Sequence, residues 1–172
     1  MYPHGPRTTI QPGPLGEVLE GATRPTHFAG VLTVVAKLFA LTGASDAFFG
    51  EKDYQQLALI RQMVDDLHLP VRVHGCPIVR DADGLALSSR NRYLSASERE
   101  VALAIPRAIA TGSVDSARSL LDATPDLHLD YLVATTPDLA ELPAGFTGEA
   151  RLLVAAKVGS TRLLDNAPIQ IS

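Results

Sequence analysis

Three short clusters in the sequence hold side chains able to do chemistry. Gly50-Glu51-Lys52-Asp53 lies where a short apolar run hands over to a helical pattern. Open α/β sheets bind ligands at the carboxyl ends of their strands, and helix N-termini favour anions. Lys52 adds a mobile positive charge able to reach a phosphate. The same four residues also describe an ordinary polar turn that carries a lysine. Leu87-Ser88-Ser89-Arg90-Asn91-Arg92 follows the tight turn Asp81-Ala82-Asp83-Gly84. Its hydroxyls and guanidiniums suit phosphate oxygens and the charge that develops in phosphoryl or nucleotidyl transfer. A solvated loop between domains is the alternative, with Gly, Asp and Ser present for backbone reasons alone. Arg24-Pro25-Thr26-His27 opens a long helical pattern, where Thr26 or His27 would cap the helix. An Arg and a His beside a helix N-terminus also make a carboxylate site. Gln55 and Gln56 open the next helix, one toward solvent and the other available to a ligand.

Other candidates fall away. His4, His68, His74 and His128 are too scattered for metal-ligand spacing, so no metal site is assigned. Cys76 is the only cysteine. It has no charged sequence neighbour to activate it and is expected to be a small buried side chain. Neither a Gly-x-Ser-x-Gly elbow nor a phosphate loop ending in Gly-Lys-Ser/Thr is present.

The elements that must position these clusters follow from periodicity. Residues 1–26 hold five of the twelve prolines and four of the thirteen glycines, which predicts an extended, loop-rich lead-in. From Phe28 a helical stripe runs through Val31, Leu32, Val35, Leu38, Phe39 and Thr42, and Gly43 supplies its left-handed stop. Asp46 to Phe49 reads as a buried strand ending at Gly50. Asp53 is expected to cap a helix to about Leu67 with Leu57, Ile60, Val64 and Leu67 inside. Val71 to His74 is a second strand. This order predicts part of a parallel α/β sheet, which needs more than two strands for stability.

After Pro77 the character changes. Ser97 with Glu100 reads as a capping box opening a helix to about Ala110, followed by a helix near Asp115 to Ala123. Strands are expected at His128 to Ala134, Ala150 to Val158 and Arg162 to Ile171, with turns at Gly145 to Gly148 and Gly159-Ser160. The predicted fold is α/β: part of a doubly wound parallel sheet in residues 1–79, then a small α+β domain with an antiparallel sheet in residues 80–172.

Composition narrows the function classes. The 172 residues are 46% hydrophobic and 20% charged, ordinary for a globular protein. A net charge of −4 gives no general attraction for nucleic acid. The most apolar stretch, Phe28 to Leu41, falls short of the roughly 20 apolar residues a bilayer requires. The N-terminus does not read as a signal peptide. A single cysteine excludes an internal disulfide framework and a thiolate-rich zinc site, which points to a cytoplasmic protein.

Taken together, the clusters resemble the pantothenate synthetase (pantoate–β-alanine ligase) family. The resemblance is carried by Leu19 to Val31, Phe49 to Gln56, Asp83 to Leu94 and Leu153 to Asn166, in family order and over nearly the whole chain. It implies a HIGH-superfamily nucleotidyltransferase-like domain with a C-terminal lid, acting as a homodimer. The implied reaction activates pantoate with Mg-ATP (ATP and Mg²⁺) as a pantoyl adenylate, which β-alanine attacks to give pantothenate and AMP. By motif position Gly50, Glu51, Lys52 and Asp53 line the ATP site, with Lys52 on the phosphates. Val79, Leu87, Ser88, Ser89 and Arg90 close over the nucleotide, and Ser88, Ser89 and Arg90 support the charge of adenylation. Gln56 matches a pantoate-binding glutamine. Arg24 and His27 match residues near the pantoate and β-alanine end.

One departure is large. The family's Met-Gly-x-x-His-x-Gly-His motif, whose histidines bind ATP and assist adenylation, is not found in the 172 residues. Nor are a second pantoate-binding glutamine and the first strands of the sheet. The stretch between Glu98 and Pro125 also reads as shorter than is usual in the family. The sequence is therefore read as a truncated form with little activity alone. A non-catalytic nucleotide-binding or dimerisation module of the same family is the alternative.

Overall fold

A computed structural model describes all residues, 1–172. The chain divides into two compact units, Met1–Cys76 and Pro77–Ser172.

The first unit begins with irregular chain, a 3-10 turn at Pro14–Gly16 and a single helical turn, α1 (Glu20–Thr23). Then come α2 (His27–Thr42), β1 (Asp46–Gly50), a 3-10 turn at Glu51–Asp53, α3 (Tyr54–Asp66) and β2 (Arg72–Cys76). β1 and β2 pair in parallel from Asp46↔Arg72 to Gly50↔Cys76. Parallel neighbours need a crossover, and α3 supplies it. Phe28, Leu32, Val35 and Phe39 of α2 pack with Leu59, Ile60, Met63 and Val64 of α3 and with Val71. Each fully buried Leu or Ile here contributes roughly 2 kcal/mol. Gly43 ends α2 at φ 61 and donates its N–H to Phe39 O, as the sequence predicts.

Four local expectations are corrected. Leu67 is 50% exposed, and Met63, at 4%, fills the inner face instead. Asp53 and Thr26 occupy N-cap positions, but neither side chain makes a capping bond. Thr26 has φ 73, a left-handed conformation that turns a β-branched residue away from capping geometry. Cys76, expected to be buried, is half-buried at the end of β2.

The second unit contains α4 (Ala96–Ala102), α5 (Ala104–Ile109) and α6 (Val114–Asp122), followed by β3 (Leu127–Thr135), β4 (Gly148–Val158) and β5 (Thr161–Ile171). The strands form an antiparallel sheet in the order β3-β4-β5. Leu152, Val154, Ala156 and Val158 of β4 meet Ala104, Ile105 and Ala108 of α5 in the core. Gly159-Ser160 joins β4 to β5, with Gly159 at φ +55, where a two-residue hairpin favours glycine.

Two expectations fail in the helices. The capping box is Ser95 with Glu98, not Ser97 with Glu100. Both pairs satisfy the same pattern, and Ser95 is the one with extended backbone, at φ −65 and ψ 169. The single helix expected to reach Ala110 is two, because Pro106 has no N–H for the Ala102 carbonyl and the turn breaks at Leu103. No helix is long and apolar enough to cross a membrane.

Candidate active site

The Gly50–Asp53 cluster occupies the turn that leaves the carboxyl end of β1 and enters α3. Gly50 is the last paired residue of β1, and the 3-10 turn Glu51–Asp53 lifts the next three residues off the strand. Lys52 is largely covered, its side chain 20% exposed, with Nζ 3.5 Å from the Asp53 carboxylate. Its ammonium is held at the start of a helix, where an anion is favoured twice, by charge and by helix dipole. Gly75, next to the end of β2, keeps this corner open. A Cβ there would stand 3.0 Å from Glu51 Oε1 and 3.2 Å from Arg61 Nη2.

The two glutamines behave differently. Gln56 is half-buried. Gln55 is 3% exposed, so neither glutamine points fully to solvent, correcting that part of the expectation for the pair. Its Oε1 accepts from Glu20 N at 3.0 Å, and its Nε2 donates to Leu15 O at 2.7 Å and Val18 O at 2.8 Å.

Arg24 and His27 are brought together. Arg24 Nη1 lies 3.1 Å from His27 Nε2. A guanidinium only donates, so Nε2 is the accepting nitrogen and the imidazole is neutral in this bond. Arg24 is exposed and His27 half-buried, its ring tilted against Phe28 with centroids 5.1 Å apart.

In the second unit, Val79 and Leu87 are joined backbone to backbone, Leu87 N donating to Val79 O at 2.8 Å. Between them Arg80 and Ala86 form a bridge, and Gly84 closes the turn at φ +94. Leu85 is 2% exposed and anchors this small hairpin in the core. Val79 and Leu87 remain exposed. Ser88 then caps a 3-10 turn, Ser89–Tyr93, its Oγ accepting from Arg90 N at 3.2 Å. Ser89 is exposed, while Arg90 Nη1 donates to Arg162 O on β5 at 3.3 Å. The hairpin is braced from two sides. Arg99 of α4 bonds Asp81 and Asp83, each at 2.7 Å, which keeps the Asp83 carboxyl below its ordinary range. Asp165 of β5 holds Arg80. Sequence reading missed these braces, whose only local signal was the abundance of Asp and Arg around the turn.

The sequence pattern described as Pantoate-beta-alanine ligase matches residues 1–168. The chain belongs to that family. The pantothenate synthetase of Nocardia farcinica is 59% identical over 99% of this chain and 56% of its own length. That of Corynebacterium jeikeium is 57% identical over 99% of this chain and 58% of its own. The chain thus spans a little over half the length of these curated relatives. A pantothenate synthetase crystal structure from Thermus thermophilus superposes with a TM-score of 0.90 at 45% identity, covering 97% of this chain and 65% of that one. A pantoate-beta-alanine ligase from Francisella tularensis, complexed with Beta-gamma ATP and Beta-alanine, gives 0.74 at 33% identity, covering 96% of this chain and 60% of that one. The fold expectation of a parallel sheet with a separate antiparallel sheet thus agrees with the ligase family.

Proposed function

We propose that these residues work in an ATP-dependent, AMP-forming ligase that joins pantoate to β-alanine. In the first step a pantoate carboxylate oxygen bonds to the α-phosphorus of ATP and pyrophosphate leaves. In the second the β-alanine amine attacks the acyl carbon, loses a proton and expels AMP. The observation that carries the reading is the family match over residues 1–168, with Lys52 held on the strand-to-helix turn. The ATP and β-alanine in the Francisella tularensis ligase support it.

Each residue takes a role its surroundings favour. Gly50, Glu51, Lys52 and Asp53 line the nucleotide, with Lys52 on the phosphates. Ser88, Ser89 and Arg90 support the charge that builds during adenylation, flanked by Val79 and Leu87. Gln56, Arg24 and His27 hold pantoate and β-alanine. No residue of this chain is assigned to Mg²⁺, which in this reading enters on the ATP phosphates. In this reading residues 1–79 belong to a doubly wound, HIGH-superfamily-like nucleotide domain and residues 80–172 to its lid. The protein is cytoplasmic and a homodimer.

The 172 residues contain no His-x-Gly-His. Loss of one such donor typically costs ~10²–10³ in rate, so the chain by itself adenylates pantoate poorly. The test is AMP release from ATP by the purified chain, with pantoate and β-alanine omitted in turn, for the unsubstituted protein and Lys52→Ala. AMP that requires both substrates and falls at least tenfold in Lys52→Ala supports the ligase. AMP formed without pantoate would sink it.

A second reading, a non-catalytic module that binds nucleotide or pairs with another chain, is favoured by the exposed Phe48, 69% accessible, on a sheet of only two strands. ATP binding with no AMP release under any combination of substrates would favour that module.

A further inference from the structure

We propose that Gln55 is a positioning residue for the substrate end of the site: its buried amide fixes the segment that presents Arg24 and His27. The inference rests on the proposed role of those two residues. Gln55 sits in the first turn of α3, three residues after Lys52 and next to Gln56. All three of its side-chain hydrogen bonds reach backbone 35 to 40 residues earlier in the chain. One carboxamide therefore ties the helix behind the phosphate turn to the loop before α1.

The connection continues to the side chains of interest. Gln55 Oε1 accepts from Glu20 N, and Glu20 O accepts from Arg24 N at 2.9 Å. Arg24 O in turn accepts from His27 N at 3.1 Å, while the Arg24 guanidinium donates to the His27 ring. An unbroken run of hydrogen bonds thus leads from α3 to the Arg24–His27 pair.

The segment needs such an anchor because its backbone is strained. Leu19 has φ 52 and Thr26 φ 73, neither of them a glycine. Gly21 is so close to Gly16 that a Cβ would lie 1.9 Å from the Gly16 carbonyl oxygen. Conformations of this kind persist only where the surroundings over-determine them. Gln55 supplies two donors to carbonyls just before Leu19 and one acceptor to the N–H just after it. A side chain lacking those donors leaves Leu15 O without its partner and Val18 O with Gly21 N alone, and the segment relaxes.

Gln55→Glu reverses the effect, setting a carboxylate oxygen against Leu15 O and Val18 O. It preserves shape and the acceptor for Glu20 N but removes both N–H donors. Gln55→Met removes the polar bonds at similar volume. Calorimetry on the full chain would measure pantoate and ATP affinity separately, and amide hydrogen exchange would follow residues 15–24. The expected result is pantoate affinity lowered about tenfold or more, ATP affinity within about twofold of the unsubstituted chain, and faster exchange confined to residues 15–24. Unchanged pantoate affinity in both variants would overturn the proposal, as would an equal fall in both affinities, which marks general destabilisation. If the unsubstituted chain binds ATP but not pantoate, the functional reading of Arg24 and His27 fails and the proposal falls with it. That outcome is distinct from failure in the variants alone.

Discussion

Asp165 and Arg80, 85 residues apart in sequence, meet through two parallel hydrogen bonds, Nη1 to Oδ2 at 2.7 Å and Nη2 to Oδ1 at 2.9 Å. The Asp165 side chain is 1% exposed and that of Arg80 31%. Asp165 also accepts from Asn166 N, and Arg80 donates to Gly84 O. The pair therefore fastens β5 to the hairpin that leads into Ser88, Ser89 and Arg90, and it keeps the guanidinium firmly charged.

Removing one partner of this pair should be costly. Asp165→Asn keeps the shape but loses the charge and is expected to destabilise the second unit by about 2–3 kcal/mol, below the cost at a fully buried pair because Arg80 retains water. Arg80→Ala should cost at least as much, since it strands a buried carboxylate. Denaturant midpoints followed by far-UV circular dichroism would check both. Equal stability in the two variants and the parent would show that the pair is energetically idle.

The start of α4 offers a choice between two serines. Ser95 Oγ accepts from Glu98 N and Glu98 Oε2 accepts from Ser95 N, a reciprocal pair that also holds the Glu98 carboxyl below its ordinary value. Ser95→Ala should cost about 1 kcal/mol, and Ser97→Ala no more than a few tenths. Thermal melts of the two variants side by side would show the difference.

Acid should act on the first unit through Asp46. Its carboxylate accepts from Arg72 Nε at 2.9 Å, pairs with His74 Nε2 at 2.8 Å and accepts from Ser45 Oγ at 2.8 Å. These bonds, Arg72 foremost, hold its pKa far below the ordinary 3.8. A carboxyl depressed on folding stabilises the fold above its unfolded pKa. That contribution starts to fade as the pH falls through about 4 and is gone only below the folded value. The Asp46 carboxyl carbon should therefore still report an ionised group at pH ~3 in a ¹³C titration. Arg72→Gln should move its midpoint up toward 3.8.

Gly21 is required by space rather than by φ. The Cβ of Gly21→Ala would fall 1.9 Å from the Gly16 carbonyl oxygen, a backbone atom that cannot step aside alone. The expected cost is about 2–4 kcal/mol, with the Arg24–His27 hydrogen bond lost. By contrast Gly30→Ala, with open space around its Cβ position on α2, should be neutral or slightly stabilising. Thermal unfolding of the pair, with the His27 ring resonance as local probe, distinguishes the two sites.

Much of the candidate site was legible along the chain because its signals are local. The turn after Phe49 and the serine–arginine loop after Gly84 announced themselves by turn chemistry and by charge next to a predicted helix or turn. α2 was set by its apolar stripe and Gly43, and the β4–β5 hairpin by Gly159, since these depend on residues a few positions apart. The sequence also carried the family, through motifs whose order and spacing survive without any knowledge of contacts.

Tertiary structure decided what each polar residue is for. Gln55 and Gln56 are the same residue type at adjacent positions, and only the loop folded back over α3 makes one a buried brace and leaves the other half-buried. Asp165 and Arg80 give no hint of each other until β5 and the hairpin meet. Between two overlapping capping patterns, backbone geometry at Ser95 made the choice. The physical reason is common to all three. Periodicity and turn propensity are short-range and can be read from neighbours. The partner of a buried hydrogen bond is fixed by which distant segments pack together, where an unmatched donor or acceptor is penalised by the loss of water.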